Sequence, residues 1–273
     1  MAKSAKSVFV YSDIHVGSKV AVCSESPEII DAENYTPNPA QKALFKGWRE
    51  IIDSYKTKPD ILVINGESID GSNPKSMGSG VWSTDLKDQI NDFKKLLNYI
   101  PKPKQIYFVR GSGYHVQTGG ATNIDEIVAS EVNAQKYRTY AGSGYTDYEA
   151  NIEVNGKIFN FTHHVGFAEW EQYRTTALAR ELVKLHFEHS KRGHHTDIAV
   201  RSHVHYYVEV RFKHTIGVTS PAWKFPDSFM YRRGIPTTSD IGCIEFVIES
   251  NGEVLIYPHI VEVMHKPKVI HYK

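Results

Sequence analysis

Five short apolar runs in this chain each stop on residues that bind metals. SVFVY precedes Ser12-Asp13-Ile14-His15, DILVI precedes Asn65-Gly66-Glu67, and QIYFV precedes Arg110-Gly111-Ser112-Gly113-Tyr114-His115. KIFNF precedes Thr162-His163-His164, and TDIAV precedes Arg201-Ser202-His203-Val204-His205. Open α/β sheets gather ligands at the carboxyl ends of their strands. Five such runs laid side by side bring acids and imidazoles to one rim, and a single polynuclear metal site is the reading that follows.

The runs Val8 to Tyr11, Ile61 to Ile64 and Ile106 to Val109 are nearly continuous in apolar residues, as parallel strands buried on both faces are. Helix-length segments separate them, about Ala40 to Tyr55 and about Thr84 to Tyr99, the second ending before Pro101. Further helices are expected over Asn123 to Ala134 and Phe167 to His189. The second half carries Asn155-Gly156 and Asn251-Gly252 between strand-like runs, a strong hairpin signal. Three hairpins are expected on the far side: Asn151–Asn155 with Gly156–Thr162, Tyr206–His214 with Thr215–Ser220, and Gly242–Ile248 with Glu253–Val263. The fold class is α/β, with mixed parallel and antiparallel strands in two sheets packed face to face, as one domain over residues 1–273. Loops 17–39, 71–83 and 221–240 are expected to wall the site, and Trp82, Trp223 and Tyr231 within them either stack a base or pack the rim.

Composition narrows the chemistry. Thirty-two Lys plus Arg against 31 Asp plus Glu give a net charge of +1, without the basic field of proteins that grip long nucleic acid by its phosphates. Only Cys23 and Cys243 occur, too few for a disulfide framework and without zinc-site spacing. Histidine must carry the soft ligation. No run reaches the roughly 20 apolar residues that span a bilayer, so no membrane association is expected and the cytoplasm is the expected location.

Asp13 and His15 stand at i and i+2, which project to the same side of an extended backbone and grip one cation; His203 and His205 repeat the spacing. With Glu67 and His163, these blocks make the chain resemble the calcineurin-like metallophosphoesterases over about residues 8 to 207. The family's ordered signature is D-x-H, G-D-x-x-D, G-N-H, a solitary His, and G-H-x-H. Here Glu67 replaces the first Asp of the second block, whose second Asp is Asp70. Ser112 falls on the Asn position of the third block, His115 comes two residues late, and Ser202 precedes the last His-x-His. Similarly altered blocks occur in phage-borne members, which implies a phage-type origin and the host cytoplasm.

The resemblance implies a four-layer α/β/β/α metallophosphoesterase fold. It also implies two divalent ions, manganese first and otherwise iron, zinc, nickel or cobalt. The first falls to Asp13, His15, Glu67 and His205, and the second to Glu67, His203, His163 and Ser112. Glu67 would bridge ions roughly 3.5–4 Å apart. Neighbouring strand residues face opposite ways, so His163 is the expected ligand, with His164, Asp70 and Tyr114 as outer partners or alternatives; for Asp70 a cap on the following turn is the competing reading. His115 is the candidate general acid and Arg110 a candidate phosphate contact. The implied reaction is metal-activated hydroxide attack on a phosphomonoester or phosphodiester, with a nucleotide or a DNA or RNA end as possible substrate. The alternative is a non-catalytic or weakly active metal-binding scaffold on the same fold. Oligomeric state is open.

Overall fold

The computed structural model describes residues 4–73, 77–113, 123–139, 142–168, 170–193, 195–232 and 239–263. Strands β1 (Lys6–Tyr11), β2 (Ile61–Asn65) and β3 (Gln105–Val109) pair in parallel, and helices α1 (Pro39–Asp53) and α2 (Leu86–Leu97) lie between them in the chain. Asn38 starts α1 with a reciprocal capping box to Gln41, and Asp85 caps α2. Helix α3 (Ile124–Glu131) follows β3, then a short ribbon of β4 (Tyr137–Thr139) and β5 (Gly142–Gly144) that no sequence signal announces.

The second sheet is built from β6 (Glu149–Val154), β7 (Lys157–Thr162), β8 (Ile198–Arg201), β9 (Val208–Arg211) and β10 (Ile216–Thr219), in the order β6-β7-β8-β10-β9. Helix α4 (Arg174–Arg192) covers it, α5 (Ser228–Arg232) is a short turn, and β11 (Ile241–Ile248) with β12 (Val254–Val261) completes the first sheet as β12-β11-β1-β2-β3. Alternation along β1 explains the layering. Val8 and Val10 face Phe159, Phe161, Val200 and Phe246 between the sheets, while Phe9 and Tyr11 face Trp48, Phe93 and the helices. Leu182 and Leu185 seat α4 on the other sheet against Ala199. The order is helix, sheet, sheet, helix.

Three expectations need correction. The five runs do not lie side by side, because β1, β2 and β3 belong to one sheet and β7 and β8 to the other; their ends meet across the end of the sandwich. The third hairpin is not on the far side. β11 pairs antiparallel with β1, Val8 opposite Phe246, because Ile244, Phe246 and Ile248 complete the inter-sheet core from that side. The last long helix begins at Arg174, not Phe167, because Val165 is drawn into a small cluster with Val204 and Tyr206, leaving residues 164–168 as loop before a 3₁₀ turn at Glu171–Tyr173.

Among the described residues no helix is long and apolar enough to cross a membrane.

Candidate metal centre

The donors follow the strand ends directly, and their backbone is unusual. Asp13, His15, Glu67, His203 and His205 all have positive φ, from 48° to 74°. Non-glycine residues in this region are strained and persist where surrounding structure holds them. The convergence of Asp13 and His15 therefore comes from left-handed turns past the strand, not from the extended i, i+2 geometry expected. Backbone pairing holds those turns. Asp13 and His15 donate their N–H groups to Gly66 (3.2 Å) and Glu67 (2.9 Å), and Val16 and Ile69 form a parallel bridge.

Across the sandwich, Asn65 ties the two sheets. Its amide donates to Ser202 Oγ (2.7 Å) and the Thr162 carbonyl (3.2 Å), while its carbonyl oxygen lies 2.8 Å from His163 Nδ1. The Ser202 N–H in turn donates to the His163 carbonyl at 2.9 Å. Gly66 has φ of 88°, and a Cβ there would collide with the His163 imidazole. Gly66→Ala is therefore expected to destabilise the protein by about 1–3 kcal/mol, read as a lowered urea midpoint at unchanged slope.

Two donor groups result. Asp13, His15, Glu67 and His205 each offer one ligand atom within 4.8 Å of the others, and Glu67, His163 and His203 do the same. Glu67 belongs to both. His15 Nε2 lies 2.8 Å from Glu67 Oε2, His163 Nε2 3.3 Å from Glu67 Oε1, and His205 Nε2 3.2 Å from Asp13 Oδ1. Asp13 Oδ1 and His163 Nε2 are buried and make no hydrogen bond of good geometry, only these close approaches. Buried acids and imidazoles whose donor atoms converge on shared space suit divalent ions of the borderline kind once the imidazoles give up their protons.

The surrounding side chains orient these donors. Asp70 takes the ligand-orienting role and also a local one: its Oδ1 is 2.9 Å from His15 Nδ1, and its Oδ2 accepts from Asn73 (2.9 Å). Fixing Nδ1 in this way leaves Nε2 to the metal side. Ser12 Oγ donates to Asp13, and Ser112 Oγ donates to Glu67. Of the adjacent pair, His163 is buried among the carboxylates, while His164 is exposed with its ring 4.9 Å from that of His203.

Five contributors escaped sequence reading. Asp125 is buried and accepts from Ser68 Oγ and the Gly111 N–H, both at 2.8 Å, fixing the loops after β2 and β3 together. Burial raises its pKa against the lowering effect of those two bonds. Lys224 is buried with Nζ 3.3 Å from both Asp70 and Asp227, its only advance signal being a lone cation among Pro221, Trp223 and Phe225. Asp88, Gln89 and Asp92 of α2 turn inward to hold Ile30, Gly71 and Ser24 of the loops. Those loops are stitched to each other. Ser18 bridges Val81, Ala21 bridges Lys224, and the Trp223 N–H donates to the Asp13 carbonyl at 3.0 Å.

The Arg110 guanidinium sits 4.8 Å over the Tyr148 ring and 3.4 Å from Thr146, because the ribbon after α3 folds back over the end of β3. Tyr114 and His115 lie outside the described residues. Trp82 and Trp223 are buried, Trp82 stacked on Tyr35 and Trp223 packed on Trp48, so neither meets a ligand; Tyr231 is exposed.

The electrostatics are those of charges awaiting a cation. Burial works against protonation of His15, as does Lys224, yet Glu67 and Asp70 raise its pKa to about 9. Burial opposes protonation of His163 too, and Glu67 and Asp13 raise it to about 10. Burial would raise the Asp13 carboxyl, but His163 and His205 hold it down to about 2. His203 falls to about 4, chiefly through burial. A metal must thus displace protons from His15 and His163, and uptake is expected to release about two protons per loaded chain at neutral pH, tightening as pH rises from 6 towards 9. Because both folded pKa values exceed the unfolded value near 6.5, their contribution to the metal-free fold is complete below that pH. It is lost as pH climbs through about 9 to 10. Calorimetric titration in buffers of different ionisation enthalpy measures the first effect, and melting of metal-free protein the second.

Comparison with known proteins finds no matching family model and no matching curated protein. Solved structures do match. A conserved uncharacterized protein of Streptococcus pneumoniae, described as a predicted phosphoesterase, is 10% identical over 94% of this chain and 99% of its own, with a TM-score of 0.38. Vps29 of Entamoeba histolytica complexed with zinc is 9% identical over 93% of this chain and 98% of its own, with a TM-score of 0.43. A putative 5′-nucleotidase of Staphylococcus aureus is 11% identical over 98% of this chain and 56% of its own, with a TM-score of 0.45.

Proposed function

We propose that this chain is a metal-dependent phosphoric ester hydrolase with a dinuclear centre. The observation that carries the reading is the single buried carboxylate, Glu67, shared by two donor groups drawn from both sheets. Asp13, His15, Glu67 and His205 would hold the first ion, and Glu67, His163 and His203 the second. Bound there, divalent ions supply Lewis acidity and an activated water for in-line attack on phosphorus.

The chain's own residues prepare that chemistry. Asp70 and the Asn65 carbonyl fix the two imidazoles by Nδ1, so that each presents Nε2. Ser12 and Ser112 orient the two carboxylates by donating to them, which makes Ser112 a positioning residue for Glu67 as much as a donor of its own. His164 lies exposed beside His203. His115 is assigned the proton for the departing alkoxide. Manganese is the first metal to try, and a nucleotide or nucleic-acid end is the substrate class put forward.

Hydrolysis of bis-p-nitrophenyl phosphate with added manganese, beside an Asp13→Ala control, tests the reading. Turnover in the wild type that the control lacks supports it. Equal behaviour of the two proteins points to a metal-binding scaffold without this activity.

A further inference from the structure

Strand β12 edges the first sheet, and its side chains alternate between two layers. Val254 and Ile256 pack between the sheets, and Val261 packs on the helix side, against the cluster that holds Trp48. Helix α1 comes close there, for a Cβ on Gly47 would stand 2.9 Å from Val261 Cγ2. The helix ends at Asp53, and Tyr55 just beyond it reaches His259, with ring centres 5.7 Å apart. Tyr257, two residues further along the same face, is left 46% exposed.

A cavity of about 420 Å³ opens there, lined on its sheet side by Glu245, Val247 and Tyr257 and on the other by Ser54, Lys56 and Lys58 of the segment after α1. Lys6 and Asp60 complete it, at the start of β1 and just before β2. The metal donors follow the other ends of those strands, so the length of β1, about 20 Å, separates the two places. Both carboxylates of the cavity are engaged. Asp60 accepts from the Ser7 N–H at 3.0 Å and pairs with Lys104, with Lys6 3.8 Å away. Glu245 lies 2.8 Å from His259, whose ring also stacks on Phe9. Lys56 and Lys58 are exposed, and their side chains pair with no carboxylate among the described residues.

We propose that this cavity is a binding site, separate from the metal centre, for a small aromatic anion. Its volume lies in the range of small-molecule pockets, which pair an apolar lining with a few polar groups that fix orientation. Val247 and the Tyr257 ring offer the apolar surface, on which a flat ring packs by offset stacking. Lys56 and Lys58 stand across from them as uncompensated positive charge, so the ligand's anionic group turns towards that wall. A neutral ring would leave this charge unmatched, and a bare inorganic anion would leave Tyr257 uncovered. The site does not depend on the hydrolase reading, because it shares no residue with either donor group.

Titration of the full chain with 8-anilinonaphthalene-1-sulfonate, an aromatic anion whose emission rises in apolar surroundings, tests the proposal. Saturation at one equivalent per chain is expected. Tyr257→Ala should weaken binding about tenfold, and Tyr257→Phe should retain most of it. The double variant Lys56→Gln, Lys58→Gln, whose changes are confined to exposed side chains, should weaken it about fivefold. N-phenyl-1-naphthylamine, which has the same rings without the sulfonate, should bind the wild type about fivefold more weakly. Asp13→Ala should bind the sulfonate as the wild type does. Absence of saturable binding, wild-type affinity in both the Tyr257→Ala and the double lysine variants, or equal affinity for the neutral probe overturns the proposal. Loss of binding in Asp13→Ala would place the probe at the metal centre and overturn it too. So would a Tyr257-dependent dimer in sedimentation, which would give this face to a second copy of the chain.

Discussion

Glu67→Ala is expected to abolish metal retention at both positions together and to cut ester hydrolysis on the order of a thousandfold or more. The side chain is buried, lies 2.8 Å from His15 and 3.3 Å from His163, and accepts from Ser112. Its removal takes the first group from four donors to three and the second from three to two. It also deletes the shared anion that offsets charge between two cations. Replacing any other donor harms one group alone, so joint loss is particular to Glu67. Glu67→Asp shortens the reach by one methylene and should keep both ions with weaker affinity. Metal content after dialysis, measured by plasma emission beside turnover, reads both variants. Loss of one equivalent with the other intact would contradict the bridging role.

Asp70→Ala is expected to lower metal affinity about 10–100-fold, although Asp70 belongs to neither donor group. It holds His15 Nδ1 at 2.9 Å and faces Lys224 at 3.3 Å, all three groups buried. Without it the His15 ring loses its fixed orientation, and Lys224 loses its buried carboxylate partner while keeping Asp227 at 3.3 Å. A buried cation stripped of a partner costs on the order of 3 kcal/mol, so the denaturant midpoint should fall as well. The Lys224→Met, Asp70→Asn double variant separates the two effects, since it removes the stranded charge while leaving His15 without its carboxylate. Stability should recover and affinity should not. Recovery of both would show that Asp70 acts only through the charge balance.

Much of this was legible in the sequence because strand cores and their terminating donors are local patterns. Continuous apolar runs such as Val8–Tyr11 declared strands buried on both faces, and the helices between them declared parallel pairing. The Asn155-Gly156 hairpin came out where expected, with Val154 opposite Lys157. What stayed hidden depends on partners far along the chain. Nothing local in β11 says that it joins β1 across more than two hundred residues. Asp125 reads as an ordinary acid in the first turn of α3, where a carboxylate suits the helix dipole, and only the folded loops show it accepting from Ser68 and Gly111. Lys224 reads as a surface cation until Asp70 and Asp227 enclose it. The left-handed backbone at five candidate donors was equally invisible, since Asp and His in turns carry no such mark.

Anomalous diffraction from crystals grown with manganese tests the central claim most directly. Two peaks per chain are expected, one within coordination distance of Asp13, His15, Glu67 and His205, the other of Glu67, His163 and His203. Peaks absent from both places, with these side chains well ordered, would contradict the account.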